Sequence, residues 1–530
     1  MSESPLPAAR HSIRKWPAVV ILILAAVAIG IVQSWTEWPF QRKELIAVPI
    51  STGVRFISLT IAAIAGVLLL LWWLFLSRAA LRFRIYPVIA LAGLGVLAKL
   101  TLRIGGFTGD LIPTLEWKWQ STRTVLGSES ATGGSVLRGD YPQFLGPDRN
   151  GILSGARPRI GTGSNAPVEL WRVPVGAGWS GFAVAGRMAV TLEQHGSSEH
   201  VVARDAITGR DVWSVTNEAR YATPLGGEGP RSTPTIDGGR VFTQGATGWL
   251  QALELETGRV LWGTNILTFS GAGLPEWGIS GSPLVVSNRV YALAGGREGK
   301  SLLVFDAASG RVLASGGDGS ANYASPAWMT LAGIPQVVVI NGRAVTAHDP
   351  VTAKVLWTRS WGTGFPLVAN PVEIPGNRLL VSAGYAVGSE LLEVVRDSGG
   401  SLQASNVWSS KRLKAKFSNP IRIGSLVVGL DDGILAAIDL ADGSQKWKEG
   451  RYGHGQGVWI GGLLIQMSEE GELVVLEPDA TGPNERERIR VFDRKTWNPI
   501  ALAGDLLLAR NDREAVCYRL TLETKVAEAR

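Results

Sequence analysis

Cysteine is almost missing: the only one is Cys517, inside the strand-like stretch 515–519. A single thiol excludes an intrachain disulfide, a multi-cysteine zinc site and a redox cysteine pair, which leaves a buried structural role. Histidine is scarce as well, with His11, His195, His200, His348 and His454 as the full set, and no His-Glu-x-x-His pair among them. His195 and His200 flank a Gly-Ser turn, so no metal site is predicted. A basic domain is also lacking, despite a formal net charge of +7. Residues 1–137 hold 13 Lys+Arg against 6 Asp+Glu, whereas 138–530 hold 39 of each. The excess therefore sits in the N-terminal quarter, and nothing supports nucleic-acid binding.

Two formal motif matches fail on context. Residues 294–301 (AGGREGKS) fit a loose phosphate-binding loop, but that motif works at a helix N-terminus and both flanks here are strand patterns, so no nucleotide is predicted. Asp431-Asp432-Gly433 opens like a calcium loop without the ligands that should follow, and reads as a hairpin turn.

What is present is a repeated phrase: a strand ending near an acidic residue, a turn on Thr-Gly, Ser-Gly or Asp-Gly, then a strand ending in Trp. It occurs at 203–213, 252–262, 304–314, 347–357 and 437–447, with Ala314 in place of Trp in the third copy. A spacing of roughly 45 residues without helical periodicity predicts an all-β fold, a β-propeller of four-stranded antiparallel blades. Innermost strands start at a Ser/Asn-Pro step, where Pro has no ladder bond to lose. Such starts lie at Pro234, Pro283, Pro326, Pro371, Pro420 and Pro499, with looser versions at Ser180-Gly181 and Gly455-Gln456-Gly457, which predicts eight blades. Residues 169–175 look like an outermost strand with no inner strands before it. They are predicted to close the last blade beside residues 515–520. The recurring Trp residues are assigned to packing between blades, and Asp205, Glu254, Asp306, Asp349 and Asp439, all just before a turn, to scaffold work.

Three apolar segments precede the ring, at about 17–34, 57–76 and 86–102. The second is long and uncharged and reads as a spanning helix. The first is long enough to span or to serve as a secretory signal, but no small-residue cleavage site follows; the third carries Lys99, placed to snorkel, and spans or lies at the interface. Arg10, Arg14, Lys15, Arg78, Arg82 and Arg84 put the N terminus and the second loop in the cytoplasm. Three spans then leave the ring outside, on the periplasmic side of an inner membrane, as a multi-pass protein. The expected layout is an anchor at 1–104, a linker at 105–140 and the propeller at 141–530.

The repeat resembles that of the pyrroloquinoline-quinone (PQQ)-type propellers, which include quinoprotein alcohol dehydrogenases and the BamB outer-membrane assembly lipoproteins. The lead-in 141–151 (YPQFLGPDRNG) and residues 229–234 (GPRSTP) look like a BamB-like branch. That resemblance implies a quinoprotein dehydrogenase-like fold and, in first place, a binding or scaffolding module with a protein partner in the cell envelope. A second reading is a membrane-bound quinoprotein dehydrogenase holding PQQ and calcium. This chain departs from that pattern: it has no adjacent cysteines, no long insertions and no placeable ligand set, so no catalytic residue is carried over. A third reading is a carbohydrate or small-molecule sensor. For any of them the contact surface falls just before the innermost strands, at Trp179, Arg231, Trp277, Tyr323, Phe365, Lys416, His454 and Trp497. These aromatic and basic groups either plug the channel or receive an anionic or carbohydrate-like group or a partner loop.

Overall fold

The computed structural model describes residues 13–34, 50–110, 112–119 and 139–523, and it falls into two compact units, 1–123 and 124–530. In the first unit, helices α1 (Trp16–Gln33), α2 (Ile50–Leu71) and α3 (Leu81–Thr101) are long and apolar enough to cross a membrane. The expected second segment, 57–76, ends in a π-helical turn over Trp72–Leu76. There the Trp72 indole donates to the Arg14 carbonyl at 3.2 Å. Helix α3 starts five residues before the expected 86 and carries Pro87 within it. Of the expected linker 105–140, residues 120–138 lie outside the described residues. Its beginning forms a hairpin: β1 (Leu102–Phe107) pairs antiparallel with β2 (Pro113–Trp117).

The second unit is an eight-bladed propeller. Six blades are consecutive four-stranded meanders whose innermost strands are Ala183–Ala185, Thr235–Asp237, Leu284–Val286, Ala327–Leu331, Val372–Ile374 and Ile421–Ile423. The seventh starts at Gln456–Ile460 and gains a fifth strand, Ile152–Leu153, which pairs parallel to it. The eighth is composite: Ala501–Ala503, Leu506–Arg510 and Glu514–Arg519 are completed by Val168–Pro174, antiparallel to Glu514–Arg519. All eight predicted starts and the predicted closing strand are therefore present.

Blade-to-blade contacts repeat one arrangement. The outer-strand indoles of Trp171, Trp213, Trp262 and Trp408 donate to the carbonyls of Ala206, Leu255, Ala307 and Leu440 in the next blade, at 2.8 to 3.0 Å. Each carbonyl sits in a turn whose glycine, Gly209, Gly258, Gly310 or Gly443, has a positive φ near 70°. A Cβ at Gly310 would lie 2.5 Å from the Trp262 ring, so conformation and space both require glycine. Trp357 departs from the pattern, donating within its own blade to Gln336 at 2.7 Å. The acidic residues before these turns are scaffold, as expected: Asp205, Asp306, Asp349 and Asp439 accept turn N–H groups. Glu254, one methylene longer, accepts instead from the Thr257 hydroxyl and Arg259.

A second arrangement rings the channel. At five of the eight innermost-strand starts the backbone N–H donates to a side chain at the next blade's start. The chain of bonds runs Gly181 to Thr233, Thr233 to Ser282, Ser282 to Ser325, Ser325 to Asn370 and Asn370 to Asn419, at 2.7 to 3.2 Å. In these five steps the Thr, Ser or Asn before the proline is thus the acceptor that satisfies a buried neighbour, whereas Asn498 donates to the Gly178 and Ser180 carbonyls.

Candidate functional site at the mouth of the propeller channel

Residues immediately before the innermost strands gather at one end of the ring, because every blade presents that strand in the same sense. Trp179 and Trp497 meet with centroids 4.9 Å apart, across the seam between first and eighth blades. Phe417 lies 5.4 Å from Trp497 and 5.2 Å from His454. Lys416 Nζ stands 5.0 Å from the Tyr385 centroid, and Tyr385 stacks on Phe365 at 5.7 Å. On the other side the Trp277 N–H donates to the Tyr323 hydroxyl at 3.4 Å, and Arg231 lies 4.9 Å over Tyr221. The turn around Gly226 joins the two arcs: its carbonyl accepts from Trp179 Nε1 and Arg231 Nη2, at 2.7 and 3.0 Å. All eight residues named from the sequence therefore belong to one aromatic collar. Lys416 and His454 are buried in it, whereas Arg231, Trp277, Tyr323, Phe365 and Trp497 are partly open.

Sequence phase missed several members. Lys495 Nζ lies 3.9 Å from the Trp497 centroid and 4.7 Å from that of Trp179, and burial pulls its ammonium down to about 8. Tyr221, Tyr385 and Phe417 also join the collar without a signal in the repeat. So do two acids: Glu469 accepts from Trp497 Nε1 at 2.9 Å and from the His454 N–H, while Glu199 accepts from the Ala246 N–H at 3.1 Å. Burial pushes the Glu199 carboxyl up to about 7, only partly offset by that N–H and by Arg231. The rule of one residue before each strand start passes over them, because they sit one or two positions off phase or on other strands.

The opposite end is closed differently. Lead-in residue Tyr141 bridges Val184, and the Pro142 carbonyl accepts from Ile236 N–H at 2.7 Å. Arg149 then reaches inward and donates to the carbonyls of Ser282, Pro283 and Pro326 at 3.1 to 3.4 Å. Beside it lies a cavity of about 770 Å³ walled by the third to sixth blades.

A ring of this construction has known relatives. A family model described as outer membrane protein assembly factor BamB matches residues 165–316, 197–449 and 340–517. The chain belongs to this family. The fold of this BamB-family propeller is similar to that of BamB from Moraxella catarrhalis, at 14% identity and TM-score 0.50, covering 67% of this chain and 100% of that one. It is also similar to the quinohemoprotein alcohol dehydrogenase of Comamonas testosteroni, at 13% identity and TM-score 0.54, covering 74% and 82%. No curated protein matches the chain.

The second reading from the sequence, a dehydrogenase holding PQQ and calcium, asks for calcium ligands gathered at one place. The mouth acids lie on separate blades: Glu469 accepts from Trp497 and His454, Glu199 from Ala246, and Asp432 stands 3.5 Å from Lys414. Among the described residues no three His, Cys, Asp or Glu side chains converge to hold a metal ion. Cys517 is fully buried and its thiol is pushed up by that burial.

Proposed function

We propose that this chain is a membrane-tethered, extracytoplasmic interaction propeller whose aromatic collar receives a partner protein in the cell envelope. The observation that carries this reading is the collar itself, with three cationic groups, Arg231, Lys416 and Lys495, set over or beside aromatic faces. Such a surface suits an acidic loop, whose carboxylates meet the partly open Arg231 and Lys495 while its apolar atoms lie on the rings. The extracytoplasmic placement rests on the basic residues preceding the first helix and those lying between the second and third.

Photo-crosslinking in cells tests the reading. With a photoreactive residue at Trp277, a discrete envelope-protein adduct is expected, and it should be absent with the same residue at Asn377, at the other end of the channel. The adduct should weaken as pH rises through about 7 and about 8, because Glu199 gains a negative charge and Lys495 loses its positive one. Adducts of equal yield at both positions, or none at Trp277, would sink the proposal.

A further inference from the structure

The two-stranded hairpin that follows α3 has two unlike faces. Its register sets Leu102 opposite Trp117 and Ile104 opposite Leu115, so these four side chains share one face. Trp119 extends that face, stacked on Trp117 with centroids 5.2 Å apart. It is uncovered: Ile104, Leu115, Trp117 and Trp119 are each more than half exposed. The opposite face carries Arg103 and Glu116, paired across the strands at 3.2 Å. Lys118 follows in the same alternation, its Nζ donating to the Lys99 carbonyl in the last turn of α3.

Three constraints locate such an element. Bulk water is unfavourable, since an isolated two-stranded hairpin with one bare apolar face is marginally stable at best. The hydrocarbon core is unfavourable too, because both outer edges of the sheet present backbone N–H and C=O groups with no third strand among the described residues, and each unpaired group costs several kcal/mol in lipid. Covalent continuity decides between the remaining places: α3 ends at Thr101 and β1 begins at Leu102, so the hairpin starts where a span-length helix stops. The zone there is the headgroup boundary, where Trp rings are enriched and long basic side chains reach the polar layer.

We propose that residues 102–119 form an interfacial β-hairpin, a membrane-contacting element additional to the three helices. Its Leu102, Ile104, Leu115, Trp117 and Trp119 face rests on the acyl boundary, and its Arg103, Glu116 and Lys118 face turns toward the headgroups. The occupant of the bare face is therefore lipid rather than a second protein surface.

Spin-label accessibility in the full-length protein tests this. Single variants Ile104→Cys, Leu115→Cys and Lys118→Cys are labelled and reconstituted in phosphatidylcholine–phosphatidylglycerol vesicles, with Cys517 buried and unreactive. Collisions with oxygen should dominate at 104 and 115, and collisions with a water-soluble nickel chelate at 118. Nickel-dominated relaxation at 104 and 115 would place the face in water. Exclusion of both reagents there would place it against the propeller or a second copy. Either result overturns the proposal.

Discussion

Glu193 is fully buried and three donors converge on it: the Gly176 N–H at 2.8 Å, His195 Nε2 at 2.8 Å and Arg204 at 3.1 Å. Fully buried Arg510 lies nearby, donating to Thr191, Leu192 and Gly176 across the seam between first and eighth blades. Burial alone would raise the Glu193 carboxyl, but the His195 hydrogen bond, the two guanidinium groups and the Gly176 N–H bring it down to about 2. A depressed carboxylate contributes stability that is complete above its ordinary value and is lost as pH falls through about 2. His195 is raised by the same contact, so its part is present below the ordinary histidine value and fades as pH rises through its folded-state value. Glu193→Gln should therefore lower stability near neutrality by about 3–5 kcal/mol, the cost of leaving a buried pair half broken. Urea unfolding should show that deficit shrinking in acid. None of this is legible in the sequence, where Glu193 is one polar residue in a strand; its partners come from residues up to several hundred positions away. The collar is more legible, since one position per blade follows from counting.

At the scale of elements, strand starts and turns are readable because Pro and Gly carry backbone restrictions that hold without context. The reason for Ser or Asn before the proline is not, because its partner is a backbone N–H one blade earlier. The hairpin after α3 is hidden differently: the first three residues of β1 read as the end of the anchor and the two adjacent glycines as the start of the linker, and the alternation of Ile104, Leu115 and Trp117 appears only once the strands are paired. The orphan strand at 169–175 is legible because a propeller without it would be left with an open edge. Deleting residues 168–175 should expose the ladder of Glu514–Arg519 and strip Arg172 from Glu514, with which it pairs at 2.9 Å. Aggregation on purification is the expected outcome, measured by light scattering; a soluble variant of parental melting temperature would count against the closure.

For the whole molecule, composition alone separates the apolar helical unit from the ring, since the charge excess lies entirely before residue 138. Alkaline phosphatase fused after residue 137 should be active and a fusion after residue 80 inactive, as the basic residues predict; the reverse pattern would turn the topology over. The lead-in has a mechanical meaning. Tension drawn along the backbone from the anchor enters the ring at Tyr141, whose N–H and C=O are both bonded to Val184 at 2.9 and 2.7 Å. It next meets Pro142 against Ile236, the four hydrogen bonds of the Arg149 guanidinium and the parallel pairing of Ile152–Leu153. Only past these does the pull arrive at Val168, where the ring is fastened. The lead-in is thus a strain relief: a tug on the tether must tear out these contacts before it can unzip the composite blade.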